Sequence, residues 1–112
     1  MELIVTTTGP VTVLKIDGRL DSGSSKELED KVMGVVTGGA TKVVMDFGGV
    51  DYINSSGLRV LLMAFQHLKR GGGMLHLCDI KDYMREVFEI SGYNELFPIF
   101  PDQAQAVAGF KG

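Results

Sequence analysis

The 112-residue sequence predicts a single α/β domain, with a mostly parallel central sheet, an opening antiparallel hairpin and about four helices. Three features lead there. Two β-branched runs, LIVTTT and VTVLKID, stand on either side of Gly9-Pro10. Further on, short apolar runs alternate with stretches whose apolar residues recur at helical spacing. Each of the longer helical stretches then stops at glycine, at Gly38-Gly39, Gly71-Gly72-Gly73 and Gly92.

Leu3 to Thr8 and Val11 to Asp17 read as the two strands of the hairpin, with Gly9-Pro10 as its turn. After GRLD, the run Ser24-Ser25-Lys26-Glu27 has the form of a capping box, and Leu28, Val32, Val35 and Val36 carry the first helix. KVVMDF, Lys42 to Phe47, is uniformly apolar enough for a strand covered on both faces. Gly48 to Asn54 then reads as a loop into the second helix, whose core stripe is Leu58, Leu61, Leu62, Phe65 and Leu68.

MLHLC, Met74 to Cys78, is another buried strand, and Tyr83, Met84, Val87, Phe88 and Ile90 mark a third helix. LFPIF gives a short strand whose Pro98 places it at a sheet edge. Asp102 caps a last helix carrying Ala106, Val107 and Phe110. The order is β-β-α-β-α-β-α-β-α over residues 1–112, with strand order left open.

Bulk composition narrows the function. Apolar residues make up 45% and charged residues 22%, ordinary for a soluble domain. A net charge of −3 with scattered basic residues argues against a nucleic-acid binder, which needs a basic face. The first residues lack the form of a signal peptide and no run reaches membrane-spanning length, so no membrane insertion is expected. One cysteine, Cys78, fits a reducing, cytoplasmic setting, and its apolar strand points to an inert core thiol. The two histidines and the carboxylates show no metal-ligand spacing, the triple glycine lacks the phosphate-loop pattern, and no cofactor is expected.

The chemistry concentrates at Asp51–Leu62, DYINSSGLRVLL, where two hydroxyls open a helix at the carboxyl end of a strand. Open α/β sheets place their sites at that edge. Ser55 or Ser56 can serve as helix cap, worth about 1 kcal/mol. A phosphate on Ser55 would sit in the favourable field of the helix N-terminus and add about −1.5 to −2 charges. Nucleophilic catalysis is poorly served: neither serine has the preceding glycine of a nucleophile elbow. The candidate base His67 lies about 18 Å along the helix at 1.5 Å per residue, and nothing recommends His76. Val60, Met63 and His67 fall off the core stripe with Arg59 beside them, as a docking surface or as further packing.

The block VVMDFGGVDYINSSGLRVLL resembles the signature of the STAS domain, above all that of bacterial anti-sigma factor antagonists. DGRLD and REVFEISGYNELFPIF resemble the family's earlier and closing blocks, so the likeness runs along nearly the whole chain. It implies a non-enzymatic partner switch. An anti-sigma factor that is also a serine kinase binds the unmodified antagonist, phosphorylates it and lets it go, and a metal-dependent serine phosphatase resets the cycle.

Carried over by position, the resemblance makes Ser55 the phosphoacceptor. It makes Asp21 the nearby acidic residue and places Ser56 and Gly57 in the turn that opens the helix. Asn54 departs from the aspartate of several members and removes a charge beside the acceptor. Arg59 and Met63 complete the expected partner surface of Asp21, Asn54, Ser55, Ser56 and Gly57. STAS-like domains also serve as regulatory pieces of transporters, which is the alternative. A monomer or weak dimer is expected.

Overall fold

In the computed structural model, which describes residues 1–110, the chain opens with the hairpin. The last two positions of the expected 1–112 span lie outside the described residues. β1 (Glu2–Thr8) and β2 (Val11–Leu20) pair antiparallel in unbroken register from Glu2–Asp17 to Thr8–Val11. Gly9 takes a φ of +60°, and Pro10 follows with the negative φ of its ring, the combination a type II′ turn requires.

The remaining elements follow the expected order: α1 (Ser25–Thr37), β3 (Lys42–Ile53), α2 (Ser55–Arg70), β4 (Met74–Cys78), α3 (Asp82–Ser91), β5 (Ile99–Phe100) and α4 (Gln103–Ala108). A 3-10 turn at Tyr93–Glu95 precedes β5. The five strands lie side by side in sequence order, and every pair after the hairpin is parallel. β5 forms an edge, where Pro98 has no ladder bond to lose.

Strand alternation divides the apolar residues between two faces. Leu14, Ile16, Val43, Met45, Phe47, Leu75 and Leu77 turn towards α1, α2 and α3. There they meet Leu28, Val32, Leu58, Leu61, Met84 and Phe88 in the main core. Phe47 and Phe88 pack edge to face with centroids 6.2 Å apart. Each fully buried aliphatic side chain stabilises this layer by about 1.5–3 kcal/mol. On the other face Val11, Val13, Val44 and Cys78 meet Ala106 of α4, with Phe100, Val107 and Phe110 at the margin.

Several local expectations change. β3 runs on through Gly48 to Ile53, so the expected loop is strand; register shifts opposite Lys15–Asp17 and Gly18–Arg19 each take up one extra β3 residue, the first between Asp46 and Gly49 and the second at Asp51. Ser24 makes no capping box: its hydroxyl donates to the Arg19 carbonyl at 2.6 Å, leaving the first amides of α1 without a side-chain cap. On α2, Val60 is buried and Leu62 only half-buried, because the stripe facing the sheet also takes in Ala64. On α3, Tyr83 and Ile90 are 57% and 83% exposed, and Met84 and Phe88 alone are fully inside.

Candidate functional site

Val50 to Ile53 form a strand end that projects past its neighbour and leads through Asn54 into Ser55 and Ser56. β4 stops at Cys78, opposite Asp46, so the last residues of β3 pair with β2 alone. The carbonyls this frees are taken up from α3. Lys81 Nζ donates to the Val50 carbonyl at 3.2 Å, and the Tyr83 hydroxyl donates to the Asp51 carbonyl at 2.9 Å. On the other side the Asn54 amide donates to the Leu20 carbonyl at 3.2 Å. The chain therefore reaches α2 braced from both flanks.

Asn54 is the N-cap of α2, with extended backbone geometry. Its side-chain oxygen accepts the amides of Ser56 at 3.0 Å and Gly57 at 3.3 Å. The expectation that Ser55 or Ser56 caps the helix is thus corrected. A short amide side chain one residue earlier reaches both N–H groups, so two of the amides at this helix end are already engaged.

Ser55, the first residue of α2, is exposed, and its hydroxyl takes part in no hydrogen bond among the described residues. Ser56 is half-buried, its oxygen 3.2 Å from that of Ser22 in the segment leading to α1. Gly57 is buried under Leu20 and Ile53, where a Cβ would stand 2.7 Å from Leu20 Cδ2. Close packing accounts for Gly57, which offers no surface to a partner.

Asp21 organises that leading segment. Its carboxylate accepts the amides of Gly23 at 3.0 Å and Ser24 at 3.1 Å. Burial works against its ionisation, but these two amides, the Ser24 hydroxyl and the Arg19 charge outweigh it and hold the pKa below the ordinary aspartate value. Arg19 stands 3.7 Å from Asp21 and lies over the Tyr52 ring at 4.1 Å. Ser22, Arg19 and Tyr52 escaped the sequence reading. Arg19 lies within DGRLD and Tyr52 within DYINSSGLRVLL, but no spacing in the sequence linked the two.

Between α1 and α2, beside Ser55, runs a groove of about 330 Å³ lined by Ser25, Glu29, Ser56, Arg59, Val60 and Met63. The structure thus brings Ser56, Arg59 and Met63 to one groove, with Asn54 and Ser55 at the head of the same helix and Asp21 in the segment that Ser22 ties to it. His67 lies three turns down α2, and His76 is in β4 facing α4, its Nδ1 2.9 Å from the Ala106 carbonyl.

One grouping was invisible in sequence spacing: ligand-capable atoms of Asp46, Cys78 and Asp79 lie within 4.8 Å of one another. The Asp46 carboxylate there already accepts the Gly48 amide at 2.8 Å and the Gln103 side-chain amide at 2.9 Å. Burial pushes the Cys78 thiol far above the ordinary cysteine range, as expected of an inert core residue. No described helix is long and apolar enough to cross a membrane.

Known proteins share this fold. A Bordetella bronchiseptica protein named "Putative anti-sigma factor antagonist BtrV" is 40% identical over 109 residues, spanning 90% of this chain and 94% of its own. An anti-sigma factor antagonist from Mycobacterium paratuberculosis superposes with a TM-score of 0.88 at 22% identity, covering 96% of this chain and 92% of that one. The phosphorylated form of the Bacillus cell fate determinant SpoIIAA gives a TM-score of 0.76 at 21% identity over 98% of this chain and 100% of that one. The STAS domain model matches residues 2–106. With the fold, the family match and the 40% identical relative in agreement, the chain belongs to the STAS domain family.

Proposed function

We propose that this protein is an anti-sigma factor antagonist, and that Ser55 is the phosphoacceptor of its partner switch. The unmodified form binds an anti-sigma factor with serine kinase activity; phosphorylation of Ser55 ends the complex, and a serine phosphatase restores it. Asp21, Asn54, Ser55, Ser56, Arg59 and Met63 form the docking face. The chain acts in the cytoplasm as a regulator, performs no catalysis itself and uses no cofactor.

The observation that carries this reading is the state of Ser55: exposed, without a hydrogen-bond partner among the described residues, and mounted on a braced helix end beside a groove. A kinase can reach such a hydroxyl without unfolding the domain. The name of the 40% identical relative supports the same reading. A phosphate there places about two negative charges on the docking face and excludes a partner fitted to a small neutral group.

The test pairs the protein with its cognate kinase and ATP. One phosphate is expected per chain, abolished by Ser55→Ala and retained by Ser56→Ala. Ser55→Glu should weaken kinase binding while leaving the circular dichroism spectrum unchanged; full affinity in that variant, or phosphate on Ser56, would overturn the assignment.

A further inference from the structure

The two edges of the sheet are guarded very differently. β5 is two residues long and flanked by Pro98 and Pro101, so it offers almost nothing to pair with. β1 runs for seven residues with no proline, no lysine and no bulge in its register, and it exposes Ile4 at 54% and Val5 at 40%. Long unguarded edges of this kind are templates for another strand.

Which groups β1 offers follows from its turn. A two-residue turn closes on a hydrogen-bonded pair, here Thr8 with Val11. Alternation from that pair gives Thr8, Thr6, Ile4 and Glu2 their ladder bonds to β2, and turns the N–H and C=O groups of Leu3, Val5 and Thr7 outward. Three outward residues spaced evenly about Val5 are self-complementary under a two-fold axis.

We propose that β1 is an interface with a second copy of this chain, the two β1 strands pairing antiparallel about a two-fold axis at Val5. Val5 then faces Val5 of the copy, Leu3 faces Thr7 and Thr7 faces Leu3, with about six main-chain hydrogen bonds. Ile4 stands opposite Thr6 and Glu2 opposite Thr8, so no like charges meet along the strands.

The flank fits the same occupant. Val5 shares a groove with Glu27, Asp30, Lys31, Gly34 and Val35 of α1, a strip of both charge signs. A two-fold axis normal to the sheet sets the two α1 strips antiparallel on one side, where Lys31 of each copy meets Glu27 and Asp30 of the other. Gly34, with open space where a Cβ would stand, lets the helices approach. Ser55 follows β3, two strands in from this edge, so the pairing leaves it open.

Sedimentation equilibrium of the full chain across a wide concentration range tests the proposal. A reversible dimer is expected, and Val5→Lys, which sets two like charges face to face at the axis, should raise its dissociation constant at least about tenfold. Val5→Cys supplies an independent reading, since Cys78 is buried. Mild oxidation should join two chains through position 5, and Ile90→Cys, more exposed than Val5 but on α3, should not cross-link at a comparable rate. A chain that stays monomeric at every concentration, a dimer indifferent to Val5→Lys, or equal cross-linking at positions 5 and 90 would each overturn it.

Discussion

The side-chain oxygen of Asn54 accepts the backbone amide of Ser56 at 3.0 Å, reaching past Ser55 to do so. The residue before the proposed acceptor thus holds the helix end, and the acceptor hydroxyl keeps no structural duty.

Asn54→Ala should therefore destabilise the fold by about 1 kcal/mol, the usual value of a lost N-cap. Asn54→Asp keeps the cap and adds a charge at the positive end of the helix, so it should be neutral or stabilising by about 0.3–1 kcal/mol. Urea titration of the three proteins checks both.

Gly57 is fixed by space. A Cβ there would lie 2.7 Å from Leu20 Cδ2 and 2.9 Å from Ile53 Cγ1. Gly57→Ala gains about 1 kcal/mol of helix propensity but overpacks the core by about 1–3 kcal/mol, for a net loss of about 1 kcal/mol. A lowered urea midpoint with an unchanged slope is expected.

Arg59 and Met63 line the groove without belonging to the fully buried core. Arg59→Glu with Met63→Glu should leave thermal stability within about 1 kcal/mol and weaken kinase binding at least about tenfold. Calorimetric titration and a thermal melt separate the two effects, and wild-type affinity would remove this groove from the docking face.

His76 supplies a pH dependence. Burial lowers its pKa below the ordinary histidine value, only partly opposed by its bond to the Ala106 carbonyl. Its ring stacks on Phe110 at 3.7 Å and touches Phe100, so no anion faces it from those rings. The unfolded chain then binds the extra proton. The stabilising contribution is complete above about pH 6.5 and is lost as pH falls through the depressed folded value. Urea midpoints measured between neutral pH and pH 5 should decline, and His76→Phe should flatten that decline.

Much of this was legible because it rests on local chemistry. Gly9-Pro10 names its own turn, and Asp102 caps α4 as its position implied, accepting the Gln105 amide at 2.8 Å. The junction at Ser55 was legible as a site but not in its wiring. Ser55 and Ser56 satisfy the usual capping preference, whereas the choice of Asn54 depends on the strand reaching Ile53 first. That extension was hidden by Gly48-Gly49, which read as loop because the bulged pairing with β2 that keeps them in the strand is not visible in β3 alone. Tyr83 looked like core by periodicity, yet its ring lies outside so that its hydroxyl can reach the Asp51 carbonyl, 32 positions away in sequence.

The grip of Lys81 and Tyr83 on the end of β3 has a thermodynamic consequence. A strand end held by side chains from one flank and by β2 from the other has little freedom left to lose when something docks against it. Association at this face then proceeds with small ordering entropy, and its strength follows the chemical groups displayed there. A surface of that kind responds to a single added group as a stamp responds to a recut letter: its outline stays the same and its meaning changes.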